Sequence, residues 1–395
     1  MMTKKKLAFF IDSLGGGGAE RVVSVLCTEL SAKGYEIDIL MLNNRPIAYP
    51  LPDGIGLLYA EDMPVTSAWG RFVRMTLEAC MRFQVRFRNP LLRKLGCHTY
   101  PRVNETRMYF YAKFALPYRE YLKQNPGCTA FGFLVRSNIA MLMAAKGLPV
   151  KTVFCERNNP VRPDIPANIM KIRSRLVRRC DAAVFQTQDQ KDYYTRLTCP
   201  SAVIPNPLKE GLPMPFMGER RKEIVNFCRL NKQKNIPLLL DAFALLLRDH
   251  PDYTLRIYGK GEEKDNLIAL TKETGLQNAV FFADFDPNIH EQIRDAAMYV
   301  CSSDFEGLSN SMLEALAIGL PCVCTDCEGG GARMVIRNHE NGILVPMRDA
   351  QALYLGMKEI AENPELAQKL STEAANIREE LNIDRIADLW ETMIG

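Results

Sequence analysis

Short apolar runs alternate with helical patterns in both halves of the chain, and this alternation constrains the fold more than any other feature. The apolar runs lie at 7–12, 36–42, 129–134, 150–155 and 181–187, and then at 223–228, 253–258, 279–283, 298–303, 321–325 and 342–346. Helical patterns lie between them, for example at 237–248 and 350–362. Strands that alternate with helices form parallel sheets covered by helices. The sequence therefore predicts an α/β protein with two doubly wound, Rossmann-like domains.

A proline-rich stretch at 204–216 separates the two halves. It holds four prolines, which stop both helices and strands. We therefore expect an N-terminal domain at 1–214, a C-terminal domain at 215–380, and a terminal helical segment at 381–395 that packs back on the N-terminal domain. Charge divides the same way, because 1–214 hold 31 Lys and Arg against 17 Asp and Glu, whereas 215–395 hold 19 against 29.

Composition excludes several classes of protein. Hydrophobic residues make up 47% and charged residues 24%, which is typical of a globular chain. No apolar run is long enough to span a bilayer, and the start is interpreted as a first strand rather than a signal peptide. Twelve scattered cysteines indicate a reducing, cytoplasmic environment. The cysteines of PCVCTDC at 321–327 are expected on a buried strand rather than around zinc.

Two loops that follow predicted strands favour anions. Gly15 to Gly18 come directly after the first strand and before a helix, so the backbone can approach a negatively charged ligand there. The loop lacks the G-x-G-x-x-G spacing, and the next strand ends in two asparagines, so a dinucleotide site is disfavoured. In the second half, Arg229 and Lys234 follow the first strand and are suited to a diphosphate; a solvated basic turn is the alternative.

The stretch EGLSNSMLEALAIG at 306–319 sets two carboxylates eight residues apart at the start of an apolar helix. Ser311 and Glu314 have the spacing of a capping box, which would give Glu314 a purely structural role. A capping box uses no carboxylate before its N-cap residue, so it does not explain Glu306. Two hydrogen-bond acceptors on either side of backbone N–H groups match a ligand with sugar hydroxyls and a phosphate, as in a nucleotide sugar.

With these motifs the chain resembles the family 4 retaining glycosyltransferases, which have the two-domain GT-B fold with a central cleft. Glu306 to Glu314 resembles the E-x(7)-E motif, and 16–21 resembles the GGAER loop. The resemblance is strong over 220–346 and moderate over 1–45. It implies that the N-terminal domain binds the acceptor and the C-terminal domain binds the nucleotide sugar, without a metal or other cofactor.

The resemblance also implies roles for individual residues. Glu306 would bind the donor sugar, Glu314 the ribose, and Arg229 and Lys234 the leaving diphosphate. Catalysis is thus assigned to Glu306, Arg229 and Lys234. Backbone N–H groups would hold phosphate or the transferred sugar at the following positions: Gly16, Gly17, Gly307, Leu308, Ser309 and Asn310.

The chain departs from the family pattern in the first domain. Many members carry a histidine near the transferred sugar, but none of the four histidines follows the strand at 150–155. Glu156, Arg157 and Asn158 stand there instead. We expect them to bind the acceptor, with pairing of Glu156 and Arg157 as the alternative. Asp284 and Asp286 form D-x-D, a metal motif in another glycosyltransferase fold, but capping of a helix is the favoured interpretation here.

The segment 66–125 is unusually basic, with twelve Lys and Arg against three Asp and Glu. Aromatic residues alternate with arginines, as in an amphipathic helix on an anionic membrane surface. The alternative is a cationic helix packed on the sheet; nucleic acid is not an expected partner.

These observations together predict a retaining glycosyltransferase on the cytoplasmic face of the plasma membrane. It would transfer a hexose or N-acetylhexosamine from a UDP-sugar to a lipid-linked glycan in cell-surface polysaccharide synthesis. The alternatives are a UDP-sugar epimerase of the same fold and a catalytically silent subunit that binds nucleotide sugars.

Overall fold

The computed structural model describes residues 5–65, 109–161, 164–286 and 288–394, together with positions 68, 70–72, 74–76, 79 and 107. The chain forms two compact units. Unit 1 consists of Met1–Phe185, Lys191–Ile204 and Ala387–Gly395, and unit 2 of Gln186–Gln190 and Pro205–Ile386. Most of the predicted membrane-binding helix, including Trp69, Phe83, Phe87 and Arg82, lies outside the described residues.

Unit 1 is built around one parallel sheet, which has seven strands in the described residues. They are β1 Lys6–Ile11, β2 Glu36–Met41, β3 Gly56–Tyr59, β4 Thr129–Phe133, β5 Lys151–Glu156, β6 Ala182–Phe185 and β7 Ser201–Val203. Their order is β3-β2-β1-β4-β5-β6-β7, so β1 and β4 are neighbours and the order of strands reverses between them. This is the doubly wound arrangement that the sequence predicts. The short edge strands β3 and β7 were not predicted.

The helices between these strands include Gly18–Ala32, Leu116–Gln124, Val135–Ala144, Ala167–Leu176 and Gln188–Tyr193, with a π-helical turn at Tyr111–Ala115 and a 3-10 turn at Val177–Arg179. They cover strands that are buried almost throughout: every residue from Leu7 to Ile11 is fully buried. Near-continuous apolar runs of this kind are typical of parallel strands with both faces covered.

Unit 2 repeats the same arrangement with six strands in the part of the chain that is described. They are β8 Arg221–Phe227, β9 Thr254–Tyr258, β10 Val280–Ala283, β11 Ala296–Cys301, β12 Cys322–Asp326 and β13 Ile343–Pro346, in the order β10-β9-β8-β11-β12-β13. All neighbours pair in parallel. The cysteines of β12 are fully buried, as expected for a core strand.

Helices connect the strands of unit 2 and continue after its last strand. They are Ile236–Asp249, Lys264–Glu273, His290–Ile293, Asn310–Ala317, Gly331–Val335, Ala350–Glu362, Pro364–Ala374 and Ile377–Glu380, with a 3-10 turn at Lys232–Lys234. Asp349 caps the helix Ala350–Glu362, because its side chain accepts a hydrogen bond from the Ala352 amide at 2.8 Å. Asn363 caps the next helix in the same way.

The last helix, Ile383–Ile394, is anchored by aromatic packing. Its residues from Ala387 onward belong to unit 1. There Trp390 is fully buried and stacks on Phe133, with ring centroids 5.7 Å apart. Glu391 accepts hydrogen bonds of 2.9 Å from Lys33 and from the Tyr35 hydroxyl. Within the described ranges, every helix is too short or too polar to span a lipid bilayer.

Candidate active site

The predicted site residues of unit 2 lie at the centre of its sheet. Strands β8 and β11 are neighbours, and the strand order reverses between them. Arg229 and Lys234 follow β8, and Glu306 follows β11. Because parallel strands end at the same edge of the sheet, both loops reach that edge together. In open α/β sheets this reversal point opens the crevice in which ligands bind.

Lys234 and Glu306 form a close ion pair at this point. The Lys234 Nζ atom donates to Glu306 Oε1 at 2.5 Å, and the Ser303 hydroxyl donates to the same oxygen at 3.1 Å. The two side chains are only 12% and 14% exposed. Burial lowers the pKa of Lys234, but the charge and hydrogen bond of Glu306, together with the nearby Cys228 and Cys301, outweigh burial, so the pKa of Lys234 lies above its ordinary value. The lysine therefore stays positively charged at neutral pH.

Hydrogen bonds between the two loops hold this pair in place. The Ser302 hydroxyl donates to the Lys234 carbonyl at 2.9 Å, and the Asp304 amide donates to the Gln233 carbonyl at the same distance. Asn235, which adopts a left-handed conformation with φ of 43°, donates from its side chain to Asp304 at 3.0 Å. The loops thus act as one rigid support for Lys234 and Glu306.

Arg229 differs from Lys234 in its surroundings. It is exposed, and its side chain makes no hydrogen bond or ion pair with any described residue. Of the two predicted cations on this loop, Lys234 is thus largely buried and Arg229 exposed, and only Lys234 contacts Glu306.

The loop after Glu306 leads into the helix Asn310–Ala317, with Ser309 as its N-cap. The amides of Gly307 and Ser309 donate no hydrogen bond to any described residue. The Leu308 amide, by contrast, donates to the Gln186 side chain at 3.3 Å. Of the predicted anion-binding amides, that of Leu308 therefore already has an acceptor.

Two polar residues that the sequence analysis missed hold this loop. The buried side chain of Asn206 donates to the Leu308 carbonyl at 3.0 Å and to the Asn310 side chain at 2.7 Å. Gln186 donates to Asn206 at 2.7 Å. Because Gln186 and Asn206 lie more than a hundred residues before the loop, no local pattern indicates these contacts. From the proline beside Asn206 we predicted only that this segment is a linker.

A second missed feature is the glycine run at 329–331. Gly329 has φ of +96°, and an added Cβ there would lie 1.8 Å from the Glu306 carbonyl oxygen. A Cβ on Gly331 would lie 1.7 Å from the Gly307 carbonyl oxygen. Only glycine therefore lets this turn approach the backbone of the acidic loop so closely. The run of three consecutive glycines is the sequence pattern that could have indicated this close turn.

The capping-box hypothesis for Glu314 is wrong. The helix begins at Asn310, so Ser311 lies inside it, and its hydroxyl contacts those of Tyr299 and Ser309 at 3.1 and 3.0 Å. The Glu314 carboxylate is buried and lies 2.9 Å from the Nε2 atom of His290. Glu314 therefore pairs with a side chain 24 residues upstream and does not cap its own helix.

The predicted glycine loop of unit 1 also follows the central strand, β1. Gly16 has φ of +101°, which favours glycine, and Gly17 is the N-cap of the helix Gly18–Ala32. A Cβ on Gly17 would lie 2.3 Å from the Glu20 carboxylate. Nearby, burial lowers the pKa of Arg21 to about 10.

The predicted acceptor residues are more deeply buried than expected. Glu156 accepts hydrogen bonds from Arg173 at 2.9 Å and from the Tyr194 hydroxyl at 2.5 Å. The Arg157 guanidinium lies over the rings of Phe133 and Trp390, 5.8 Å from each centroid, and the Arg157 amide donates to Glu156 Oε1 at 3.3 Å.

Only Asn158 of this predicted trio is half-exposed. Its side-chain oxygen accepts a hydrogen bond from the Asn159 amide at 2.7 Å.

The D-x-D carboxylates have protein partners. Asp284 pairs with Lys264 at 2.6 Å. Asp286 accepts hydrogen bonds from the Asn288 amide at 2.8 Å and the Gln292 side chain at 2.9 Å. These contacts stabilise the turn before the helix His290–Ile293.

Known proteins are similar to this chain over part or most of its length. Residues 216–377 match the family described as glycosyl transferases group 1. The N-acetylgalactosamine-N,N'-diacetylbacillosaminyl-diphospho-undecaprenol 4-alpha-N-acetylgalactosaminyltransferase of Campylobacter jejuni is 28% identical over 94% of both chains. A second alpha-1,4-N-acetyl-D-galactosaminyltransferase of that organism, named for a diphospho-undecaprenol-linked glycan, is 25% identical over 99% of this chain and 98% of its own.

The fold is also found in solved structures. A TarM mutant of S. aureus, in complex with fondaparinux, alpha-GlcNAc-glycerol and UDP, superposes with a TM-score of 0.75 at 13% identity. The match covers 99% of this chain and 100% of that one. The chain therefore has the GT-B fold, with two doubly wound sheets, and the part that matches the group 1 glycosyl transferases contains Lys234, Glu306 and Glu314.

Proposed function

We propose that this glycosyltransferase retains the anomeric configuration and transfers a hexosyl or N-acetylhexosaminyl group from a UDP-sugar to a lipid-linked glycan in surface polysaccharide synthesis. The observation that carries the proposal is the Lys234–Glu306 ion pair at the reversal point of the second sheet, beside the start of the helix Asn310–Ala317. A buried cation, a carboxylate and a helix N-terminus together suit a phosphorylated sugar.

Each residue of this site has a distinct role in the proposal. Lys234 and the exposed Arg229 bind the diphosphate, and Glu306 accepts hydrogen bonds from the sugar hydroxyls. The amides of Gly307 and Ser309, at the N-terminus of the helix, donate hydrogen bonds to a phosphate. Glu314 binds the ribose. In unit 1 we assign an anion-binding role to the turn at Gly16 and Gly17.

In the transfer step, the bond between the anomeric carbon and the β-phosphate oxygen breaks, and a bond to the acceptor oxygen forms on the same face. The acceptor hydroxyl loses its proton to the departing phosphate. Negative charge grows on the diphosphate as this happens, and preorganised cations such as Lys234 stabilise it without further reorganisation. Two side-chain cations take the place of a metal ion in this proposal.

The acceptor assignment is supported by the two Campylobacter relatives, which are named for diphospho-undecaprenol-linked glycans. A lipid-linked acceptor requires the enzyme to work at a membrane surface. The basic segment 66–125 supplies the charge for peripheral binding to anionic lipid on the cytoplasmic face. We keep Asn158 as a residue that binds the acceptor substrate. The buried contacts of Glu156 argue against such a role for Glu156.

The test is a transfer assay with UDP-glucose, UDP-galactose, UDP-GlcNAc and UDP-GalNAc and with undecaprenyl-diphosphate glycans as acceptors. We expect release of UDP and an α-linked product by NMR with at least one pair, unchanged in the presence of EDTA. A β-linked product would overturn retention, and loss of activity in EDTA would overturn metal independence. An epimerised free UDP-sugar, or binding without turnover, would contradict transferase function.

A further inference from the structure

The buried contact between His290 and Glu314 lies beside the proposed donor site and has no role in the mechanism described above. His290 Nε2 and Glu314 Oε2 are 2.9 Å apart, and both residues are about 5% exposed. The contact joins two elements, because His290 begins the helix His290–Ile293 and Glu314 lies within the helix Asn310–Ala317. A buried carboxylate needs partners, since burying an unpaired charge is costly.

Aromatic rings pack beside the histidine. The Phe227 ring, at the end of β8, meets the His290 ring edge to face, with centroids 5.9 Å apart. Tyr299 also packs against Phe227, with ring centroids 5.1 Å apart, and its hydroxyl contacts Ser311, one turn before Glu314. An ionised carboxylate only accepts hydrogen bonds, so in a contact with ionised Glu314 the His290 Nε2 atom is the donor.

We propose that His290 is a positioning residue that orients Glu314 for the ribose hydroxyls of the donor nucleotide; this inference rests on the proposed function of Glu314. A carboxylate has about four lone-pair sites, and His290 uses one of them. The hydrogen bond fixes the rotation of the carboxylate, so that its other lone pairs have defined directions. Ribose, with two adjacent hydroxyls, is the ligand chemistry that benefits from an acceptor of fixed direction.

The test compares two probes, UDP and 2′,3′-dideoxy-UDP, which lacks both ribose hydroxyls. His290→Leu removes the hydrogen-bond donor at similar volume, whereas His290→Gln keeps an N–H near the position of Nε2. We expect His290→Leu to bind UDP about tenfold more weakly, which corresponds to about 1.4 kcal/mol. Its affinity for dideoxy-UDP should be unchanged, and His290→Gln should bind both nucleotides nearly as the wild type does.

A matched control is His250→Leu. His250 lies in the same unit and also pairs with a glutamate, Glu362, at 3.2 Å. This variant should bind both nucleotides normally. Thermal unfolding of each variant identifies any that does not fold, and His290→Gln then carries the test alone, since it should keep the preference for UDP.

The outcomes distinguish an error in the role of Glu314 from an error in the role of His290. If the wild type binds UDP and dideoxy-UDP equally, or binds neither, the role of Glu314 in the proposed function is wrong. If the wild type prefers UDP and folded His290→Leu keeps that full preference, Glu314 does not need His290. Equal weakening of both nucleotides by His290→Leu would mean a purely structural role for the histidine and would also overturn the inference.

Discussion

Lys234 and Glu306 neutralise each other in the ligand-free protein. The lysine ammonium has three donors, and the contact with Glu306 uses one of them. A bound diphosphate can therefore be added without breaking the pair. This arrangement keeps a cation desolvated and ready beside the leaving group, where its interaction with developing charge is stronger than in water.

Replacing Glu306 with Gln tests the carboxylate. We expect kcat to fall by about 10²- to 10³-fold, because an amide accepts hydrogen bonds from the sugar without balancing the charge of Lys234. The free energy of unfolding should fall by about 1–2 kcal/mol at most, since the replacement keeps the size and one acceptor oxygen. Steady-state kinetics and urea denaturation measure the two effects.

The control for this variant is Glu340→Gln. Glu340 also pairs with a cation, Arg337, at 2.8 Å, but that pair is exposed. It should leave kcat unchanged and stability within about 0.5 kcal/mol of the wild type. A Glu306→Gln enzyme with more than about a tenth of wild-type kcat would show that the role given to Glu306 is mistaken.

Lys234→Met should abolish most transfer and destabilise unit 2 with a defined pH dependence. Glu306 raises the pKa of Lys234 above the ordinary lysine value despite its burial. A raised lysine pKa contributes stability that is fully present below the unfolded value of about 10.4 and is lost as pH rises through the folded pKa. The difference in unfolding free energy between wild type and variant should therefore be equal at about pH 7 and pH 9.

Urea denaturation at these pH values, and at about pH 11, measures this difference. A stability difference that shrinks already below about pH 9 would contradict the proposed raised pKa of Lys234.

At the scale of elements, the acidic loop depends on the glycine run at 329–331. The turn lies so close that its glycines leave no room for a side chain against the Glu306 and Gly307 carbonyls. The Glu306 amide also donates to the Glu328 carbonyl at 2.9 Å. The two loops therefore move together or not at all, and the direction of Glu306 is set partly by residues of the next loop.

Gly331→Ala tests this dependence. The new methyl group would overlap the Gly307 carbonyl, so we expect a loss of about 1–3 kcal/mol in unfolding free energy and a higher KM for the donor. Gly147→Ala is the control, because Gly147 has φ of +71° but open space around it. It should cost about 1–2 kcal/mol without changing KM. An unchanged donor KM in Gly331→Ala would mean that the acidic loop tolerates displacement.

Much of the element structure could be predicted because parallel core strands are continuous apolar runs. The edge strands β3 and β7 were missed, since Gly56–Tyr59 is only partly buried and Ser201–Val203 has three residues. At the site, positions such as Lys234 and Glu306 follow from their place after strands. The partners His290, Gln186 and Asn206 do not, because they meet the acidic loop only through tertiary packing.

At the scale of the whole molecule, the basic segment should decide where the enzyme is found. We expect sedimentation with anionic vesicles of phosphatidylglycerol and not with phosphatidylcholine. Changing Arg82, Arg86, Arg88 and Arg93 to Gln should weaken binding on the order of a hundredfold or more, at about 1 kcal/mol per cation. The change should not affect transfer to a soluble acceptor analogue.

A matched variant replaces four other cations of unit 1, Lys171, Arg175, Arg178 and Arg179, which are exposed. Its vesicle binding should remain close to that of the wild type. Equal losses in the two variants would show that general positive charge, rather than the segment 66–125, attracts the enzyme to the membrane.

The position of Trp390 has a consequence for synthesis of the protein. The indole packs against Phe131 and Phe133 of β4, some 260 residues earlier in the chain. While the ribosome is still synthesising unit 2, Trp390 does not yet cover these two phenylalanines. An apolar face of the first sheet therefore stays exposed to water. We therefore expect the nascent chain to bind chaperones and to aggregate most readily before the helix Ile383–Ile394 leaves the ribosomal exit tunnel.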